Sequence, residues 1–303
     1  MSEHDAMPDE DRLDVADHAV STYRYLRLAI VTVILTLAVS LALERHAASC
    51  WQDSVSSYYY TPAHSVFVAA LAVIGVALIT IRGAQLWEEV CLNMAGFLAP
   101  VVAFVPTAWS SRNCPSNLTA STRPTVQGLL SGNHFFARFS TNNLLAFIVG
   151  GAFAVLLTSG VARIRGRTSR LVPWGPELWW PALGCGLIVV IGFFWHRWWP
   201  ASFNTHAHSY SAIGVFVFAG IVMFLTAKRN NSAYRVIYFA CFAAIAAGAM
   251  VFFVGLLVTW QHRVLVVEAI ETTAFVVFWF FQTIQLWDEA LTPVPPPTPP
   301  AAA

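Results

Sequence analysis

Apolar residues in this chain run in long stretches broken by short polar segments, with neither the alternation of a half-buried strand nor the stripe of a surface helix. A helix needs ~20 largely apolar residues to cross a hydrocarbon core. Eight stretches meet that requirement: 25–43, 63–81, 91–108, 142–160, 179–196, 209–226, 235–258 and 267–287. The pattern predicts an all-α fold, a polytopic transmembrane bundle of about eight helices. Thr61 and Pro62 mark the start of the second stretch, a hydroxyl cap followed by a residue whose missing N–H costs nothing in a first turn. Pro100 and Pro106 predict a kink in the third. Asn142 and Asn143 blur the start of the fourth.

Composition changes this picture only by strengthening it. The chain is 57% hydrophobic and 11% charged, against roughly 25% charged in an ordinary soluble domain. So few charges cannot clothe a globular surface, and lipid must serve as the outer solvent. Their placement orients the bundle. One side carries Arg24, Arg27, Arg82, Arg163, Arg165, Arg167, Arg170, Lys228, Arg229 and Arg235; the other carries Arg45, Arg112, Arg123, Arg138, Arg197 and Arg263. Basic residues favour the cytoplasmic side, so both termini are expected inside. The Arg163–Arg170 cluster reads first as a topology determinant and second as a contact for anionic lipid or a partner.

A net charge of +1 gives no reason to expect nucleic acid, so membrane lipid is the expected partner. Lys228 is the only lysine beside sixteen arginines, a bias common in bacteria with GC-rich genomes. It points to a multi-pass protein of the bacterial plasma membrane.

Three segments follow. Residues 1–24 hold seven acids and read as a disordered cytoplasmic tail; 25–288 form the bundle; 289–303 are a Pro/Ala-rich tail expected to be solvated. Cys50 and Cys114 both fall in outer loops, where a disulfide between them competes with two free thiols.

Candidate chemistry gathers on the outer face, which holds seven of the nine histidines. The run Ser54 to His64 offers serine and tyrosine hydroxyls, either as an interfacial anchor or as the floor of a pocket with Ser56 and Tyr59 in catalytic positions. His206 and His208 at the start of the sixth span are candidate metal ligands, or else solvated loop histidines. Two positions apart they point together only if the backbone is extended. In the last span Glu268, Glu271, Thr272, Phe275, Gln282 and Gln285 fall within one arc of about 140°. Carboxylates and amides within a span must face the bundle interior or a wet cavity. Glu268 is a candidate cation ligand and Glu271 a candidate general base; a structural salt bridge is the alternative for both. Most other spans lack ionisable groups, which argues against an ion-driven pump.

The run SVSSYYYTPAHSVFVAALAVIGVALI (54–79) resembles a signature of uncharacterised bacterial membrane proteins with the pattern S-x-S-x-Y-Y-x-x-P-x-x-x-V-F-V. The likeness continues through Ala95-Gly96, Pro106-Thr107, His208-x-x-Ser211-Ala212 and Arg235-x-Ile237-Tyr238. It closes on Glu268 or Glu271 with Phe275, Trp279 and Gln282 in the last span. It skips residues ~110–200, where this chain inserts an extra helical hairpin. More remotely the pattern is similar to alkaline ceramidases and adiponectin-receptor-like membrane hydrolases. That resemblance implies a seven-helix bundle with a zinc ion that attacks lipid amides, and would put Ser54 or Ser56 and His208 at the site. Those enzymes carry HxxxH on the last helix, where this chain has Glu268-x-x-Glu271. The expectation is an outward polar pocket, with a zinc-dependent lipid or amide hydrolase, a small-solute transporter or channel, and a non-catalytic scaffold as its uses.

Overall fold

A computed structural model describes residues 9–107, 114, 133–164, 176–231, 233–258 and 260–287. Among these, eight α-helices follow one another: α1 (Asp9–Ala48), α2 (His64–Thr80), α3 (Leu86–Phe104), α4 (Asn133–Ile164), α5 (Pro176–Trp198), α6 (Pro200–Arg229), α7 (Ala233–Leu257) and α8 (Arg263–Gln285). A single 3₁₀ turn, Ser56–Tyr60, lies between α1 and α2. Each expected span maps onto one helix, and six helices are long and apolar enough to cross a membrane. This is a multi-pass membrane protein.

Packing arranges the helices in two tiers. α1 packs on α2, α2 on α3, α3 on α6, α6 on α7, α7 on α8, and α8 on α1, so six helices close into a ring. α4 and α5 lie outside it against α3 and α6. Burial agrees: the most apolar window of α3 is 67% buried and that of α5 only 6%. α4 and α5 turn Leu145, Val149, Phe153, Leu187 and Phe193 outward, an exposed apolar surface of the kind that meets a membrane or a partner. The hairpin expected between residues ~110 and 200 is therefore a peripheral addition to the ring.

The ring interior is filled by side chains at helical spacing. Ile30, Leu78, Met223, Tyr238, Phe278 and Trp279 form one cluster, and Leu37, Phe67, Ala99, Val102 and Val215 form another. α2 and α3 cross at Gly75 and Gly96. A Cβ on Gly96 would stand 2.7 Å from the Gly75 carbonyl oxygen, so only hydrogen fits; small residues let spans approach this closely.

The end of the ring where Arg24 of α1 meets the last turn of α8 is the arginine-rich one, here termed inner. Arg24 donates to the Trp287 carbonyl and Arg27 Nη1 to the Gln282 carbonyl at 3.4 Å. These cations meet the negative C-terminal end of α8 and pin α1 to it. Tyr23 Oη donates to the Arg82 carbonyl at 3.0 Å, joining α1 to the end of α2. At the opposite, outer end, Cys50 and Cys114 are joined with their Cα atoms 6.1 Å apart, within the span a disulfide bridges.

Helix boundaries differ from expectation in three places. α1 begins at Asp9, so helix reaches back into the acidic segment expected to be disordered. α3 begins at Leu86 rather than 91, which brings Glu88 and Glu89 into its first turn. α6 begins at Pro200 rather than 209, because Pro at a first helical position nucleates an extra run of helix before the apolar stretch. Arg165, Arg167, Arg170 and the tail from 289 onward lie outside the described residues, as do residues 1–8.

Candidate functional site

The outer chamber starts from the Ser56–Tyr60 turn. Ser54 Oγ accepts from the Ser57 N–H at 3.0 Å and shares a hydrogen bond with Ser57 Oγ at 2.8 Å. This local closure tightens the chain and buries Ser56, Ser57, Tyr58 and Tyr59. It also frees the Val55 N–H, which donates to Glu268 Oε2 at 2.6 Å, while Ser56 Oγ donates to Glu268 Oε1 at 2.9 Å. The Leu265 N–H donates to the Asp53 carbonyl at 3.1 Å, so the turn is docked onto the first turns of α8.

Ser56 and Glu268 stand on the wall of a cavity of about 90 Å³ inside the ring. Its remaining lining is apolar apart from Thr272, with Phe67, Val102, Val215 and Phe275 prominent. His208 lies one helical turn outward of Ala212 and on the same face as Val215, both of which line the cavity. It is 3% exposed. His208 Nδ1 donates to the Val105 carbonyl at 2.6 Å. A carbonyl only accepts, so the proton is on Nδ1, and Nε2 presents a buried lone pair with no partner.

Of the other expected site residues, Tyr59 shares the turn with Ser56 and Glu271 stands three positions along α8 from Glu268. Glu271 turns to α7, where a Cβ on Gly248 would come 3.2 Å from its Cγ. Tyr59 packs edge-on against His64 and Phe67. Burial pushes its phenol up to about 12, which favours the neutral O–H. Tyr60 moves in the same direction for the same reason, with the neighbouring Tyr59 adding to it.

His206 and His208 correct the expectation of a metal pair. Because α6 starts at Pro200 both are helical, and two positions on a helix diverge. His206 is exposed and turns back on its own helix, Nδ1 donating to the Ser202 carbonyl at 3.0 Å. No hydrogen bond or ion pair connects either histidine to Glu268. Among the described residues no group of three His, Cys, Asp or Glu side chains is arranged to hold a metal ion.

A larger cavity than the one beside Ser56 was not legible from the sequence. It occupies about 480 Å³ between α4 and α5, floored by α3 and α6, within the ~300–1,000 Å³ typical of ligand pockets. Phe97, Leu98, Phe147, Ile148, Ile188 and Phe203 give it apolar walls. Polar groups gather at its outer end, where Thr141 Oγ1 and His196 Nε2 are hydrogen-bonded at 3.1 Å and Tyr210 and Ser211 join the lining. The Tyr210 ring stacks between Trp195 and His206. A sequence signal did exist, in the aromatic and histidine content of 193–210, but only the tertiary fold sets those residues around one space.

Compared with protein-family models, curated proteins and solved structures, the chain finds no match.

Proposed function

We propose that this is a multi-pass protein of a bacterial plasma membrane that binds a lipid-like amphiphile in the cavity between α4 and α5. The observation that carries the reading is the cavity itself. It lies beside α3, α5 and α6, three of the helices long and apolar enough to cross a membrane, its walls are apolar, and its hydrogen-bonding groups sit at one end. An acyl chain satisfies the walls, and a head bearing donors and acceptors satisfies Thr141, His196, Tyr210 and Ser211. Gly192 lines the cavity, and a Cβ there meets nothing within 4 Å, so Gly192→Phe fills the space without disturbing the fold. Lipid extraction and mass spectrometry of the mildly solubilised protein should find an enriched amphiphile in wild type and its loss in Gly192→Phe. The same lipid profile in both proteins would defeat the reading.

A second reading rests on the Ser56–Glu268 contact. An oxygen 2.9 Å from a carboxylate has the spacing of a nucleophile and its base, and the cavity beside it accepts apolar groups. Ser56 would then attack an ester or amide carbon while Glu268 takes its proton and returns it to the departing alcohol or amine, and water would afterwards release the acyl group from Ser56, in the hydrolase chemistry the sequence suggests. A fluorophosphonate probe should label wild type and leave Ser56→Ala unlabelled; equal labelling of both would remove Ser56 as nucleophile.

A further inference from the structure

The face of α8 that begins at Glu268 and Thr272 continues inward through Phe275, Phe278 and Trp279 to Gln282 and Gln285. Phe275, Phe278 and Trp279 pack with Leu78, Leu92 and Met223 around a residual space of only about 10 Å³, which closes the ring at mid-depth. Inward of this plug the lining changes character. A cavity of about 160 Å³ is bounded by Thr226, Arg229, Asn230, Gln282, Gln285 and Leu286, with five of the six side chains polar.

The one charged group in its lining, Arg229, is paired, and the nearby Arg27 is engaged by uncharged acceptors. Arg229 Nη1 stands 2.8 Å from both carboxylate oxygens of Glu88, and Arg27 is directed to the carbonyl end of α8. The amides are pre-arranged: Gln285 Nε2 donates to Asn230 Oδ1 at 2.8 Å, and Tyr238 Oη donates to Gln285 Oε1 at 2.6 Å. Among the groups that line the chamber one buried acceptor stands without a partner. Gln282 is 8% exposed, lines the cavity, and its Oε1 has no hydrogen-bond partner. A buried acceptor without a partner is costly, and a bound donor removes the cost.

We propose that this inner chamber is a binding site, entered from the arginine-rich inner end, for a small uncharged solute bearing N–H or O–H donors, an amide or a polyol. The solute donates to Gln282 Oε1 and accepts from the amide N–H groups around it. A cation is disfavoured because it loses its hydration and meets Arg229 and Arg27; an anion also loses its hydration, and finds Arg229 held by Glu88 and both Arg27 Nη groups already donating, to the Gln282 carbonyl and Tyr23 Oη. At ~30 Å³ per water, the same volume holds about five waters, so water alone is the rival occupant. The plug of Phe275, Phe278 and Trp279 separates this site from the amphiphile cavity and from Ser56, so it is independent of both readings above.

The test is saturation-transfer NMR on the full chain in nanodiscs, with empty nanodiscs as reference. Acetamide and glycerol are the probes; acetate and tetramethylammonium are their charged counterparts. Both uncharged probes should receive saturation from wild type and the ions should not. Gln282→Met should weaken the uncharged probes by about fivefold, the weight of one hydrogen bond of ~1 kcal/mol. Leu286→Trp, which fills the chamber from its rim, should abolish their signal and guards against misfolding of the first variant. No transfer to either uncharged probe means water is the only occupant and overturns the proposal. Equal transfer to the ions, or unchanged transfer in a folded Leu286→Trp, overturns it as well.

Discussion

Ser56 and Glu268, far apart in the chain, share a hydrogen bond of 2.9 Å at the outer end of the ring. With the Val55 N–H bond of 2.6 Å to the same carboxylate, it fastens the turn between α1 and α2 to α8. Glu268→Ala strands both donors inside protein, at ~1–3 kcal/mol each. Glu268→Gln keeps one carbonyl oxygen for one donor and turns an amide N–H₂ toward the other, so its loss should be smaller. Thermal unfolding in detergent should rank wild type above Glu268→Gln and Glu268→Ala last. An alanine variant as stable as wild type would show that the turn is not held this way.

The α2–α3 crossing predicts a second effect. Gly75 and Gly96 each leave no room for a Cβ, which on Gly75 would stand 2.8 Å from the Gly96 carbonyl oxygen. The obstacle is backbone, which cannot swing aside as a flexible side chain does. Gly75→Ala and Gly96→Ala should each destabilise by ~1–3 kcal/mol, the usual cost of overpacking. Gly186→Ala, on α5 with nothing within 4 Å, is the matched control and should leave the melting temperature unchanged. Equal behaviour of all three would contradict the close crossing.

Cys50 and Cys114 enclose a sequence separation of 64 residues. Removing such a cross-link typically costs ~2–4 kcal/mol. Cys50→Ser and Cys114→Ser should lower the melting temperature equally, and the double variant no further. A reductant should change the gel mobility of wild type alone. Two accessible thiols in the oxidised protein would refute the bond.

Length and hydrophobicity made the helices legible, because a span must be long and apolar to satisfy its backbone in lipid. They could not show that α4 and α5 stand outside a closed ring, since lipid-facing and ring-facing apolar residues read alike. The outer polar cluster was half legible. Glu268 and the Ser56 turn do meet, because a carboxylate within a span has to find donors. The histidines misled, because the start of α6 was placed nine residues late and their helical divergence was hidden. The inner chamber was missed for a related reason. Starting the third span at 91 left Glu88 and Glu89 in a loop, although two acids just before an apolar run are a common mark of a helix N-terminus.

Those acids support the most asymmetric of the predictions. Glu88 Oε2 accepts the Ala84 N–H at 3.0 Å and Glu89 Oε2 the Gly83 N–H at 2.6 Å, a reach-back that satisfies donors ahead of α3. Glu88 also holds Arg229 across to α6, with side-chain exposures of 4% for the carboxylate and 35% for the guanidinium. Removing Glu88 leaves a cation that water can reach; removing Arg229 leaves a carboxylate sealed in protein. Arg229→Ala should therefore cost more than Glu88→Gln, approaching the ~3–5 kcal/mol of an orphaned buried charge. Adding Glu88→Gln to Arg229→Ala should restore part of the loss, because the stranded charge is then gone. Unfolding of the four proteins in one detergent measures this cycle directly. A double variant less stable than Arg229→Ala would mean that Glu88 works mainly as the cap of α3 and that its charge is no burden without Arg229.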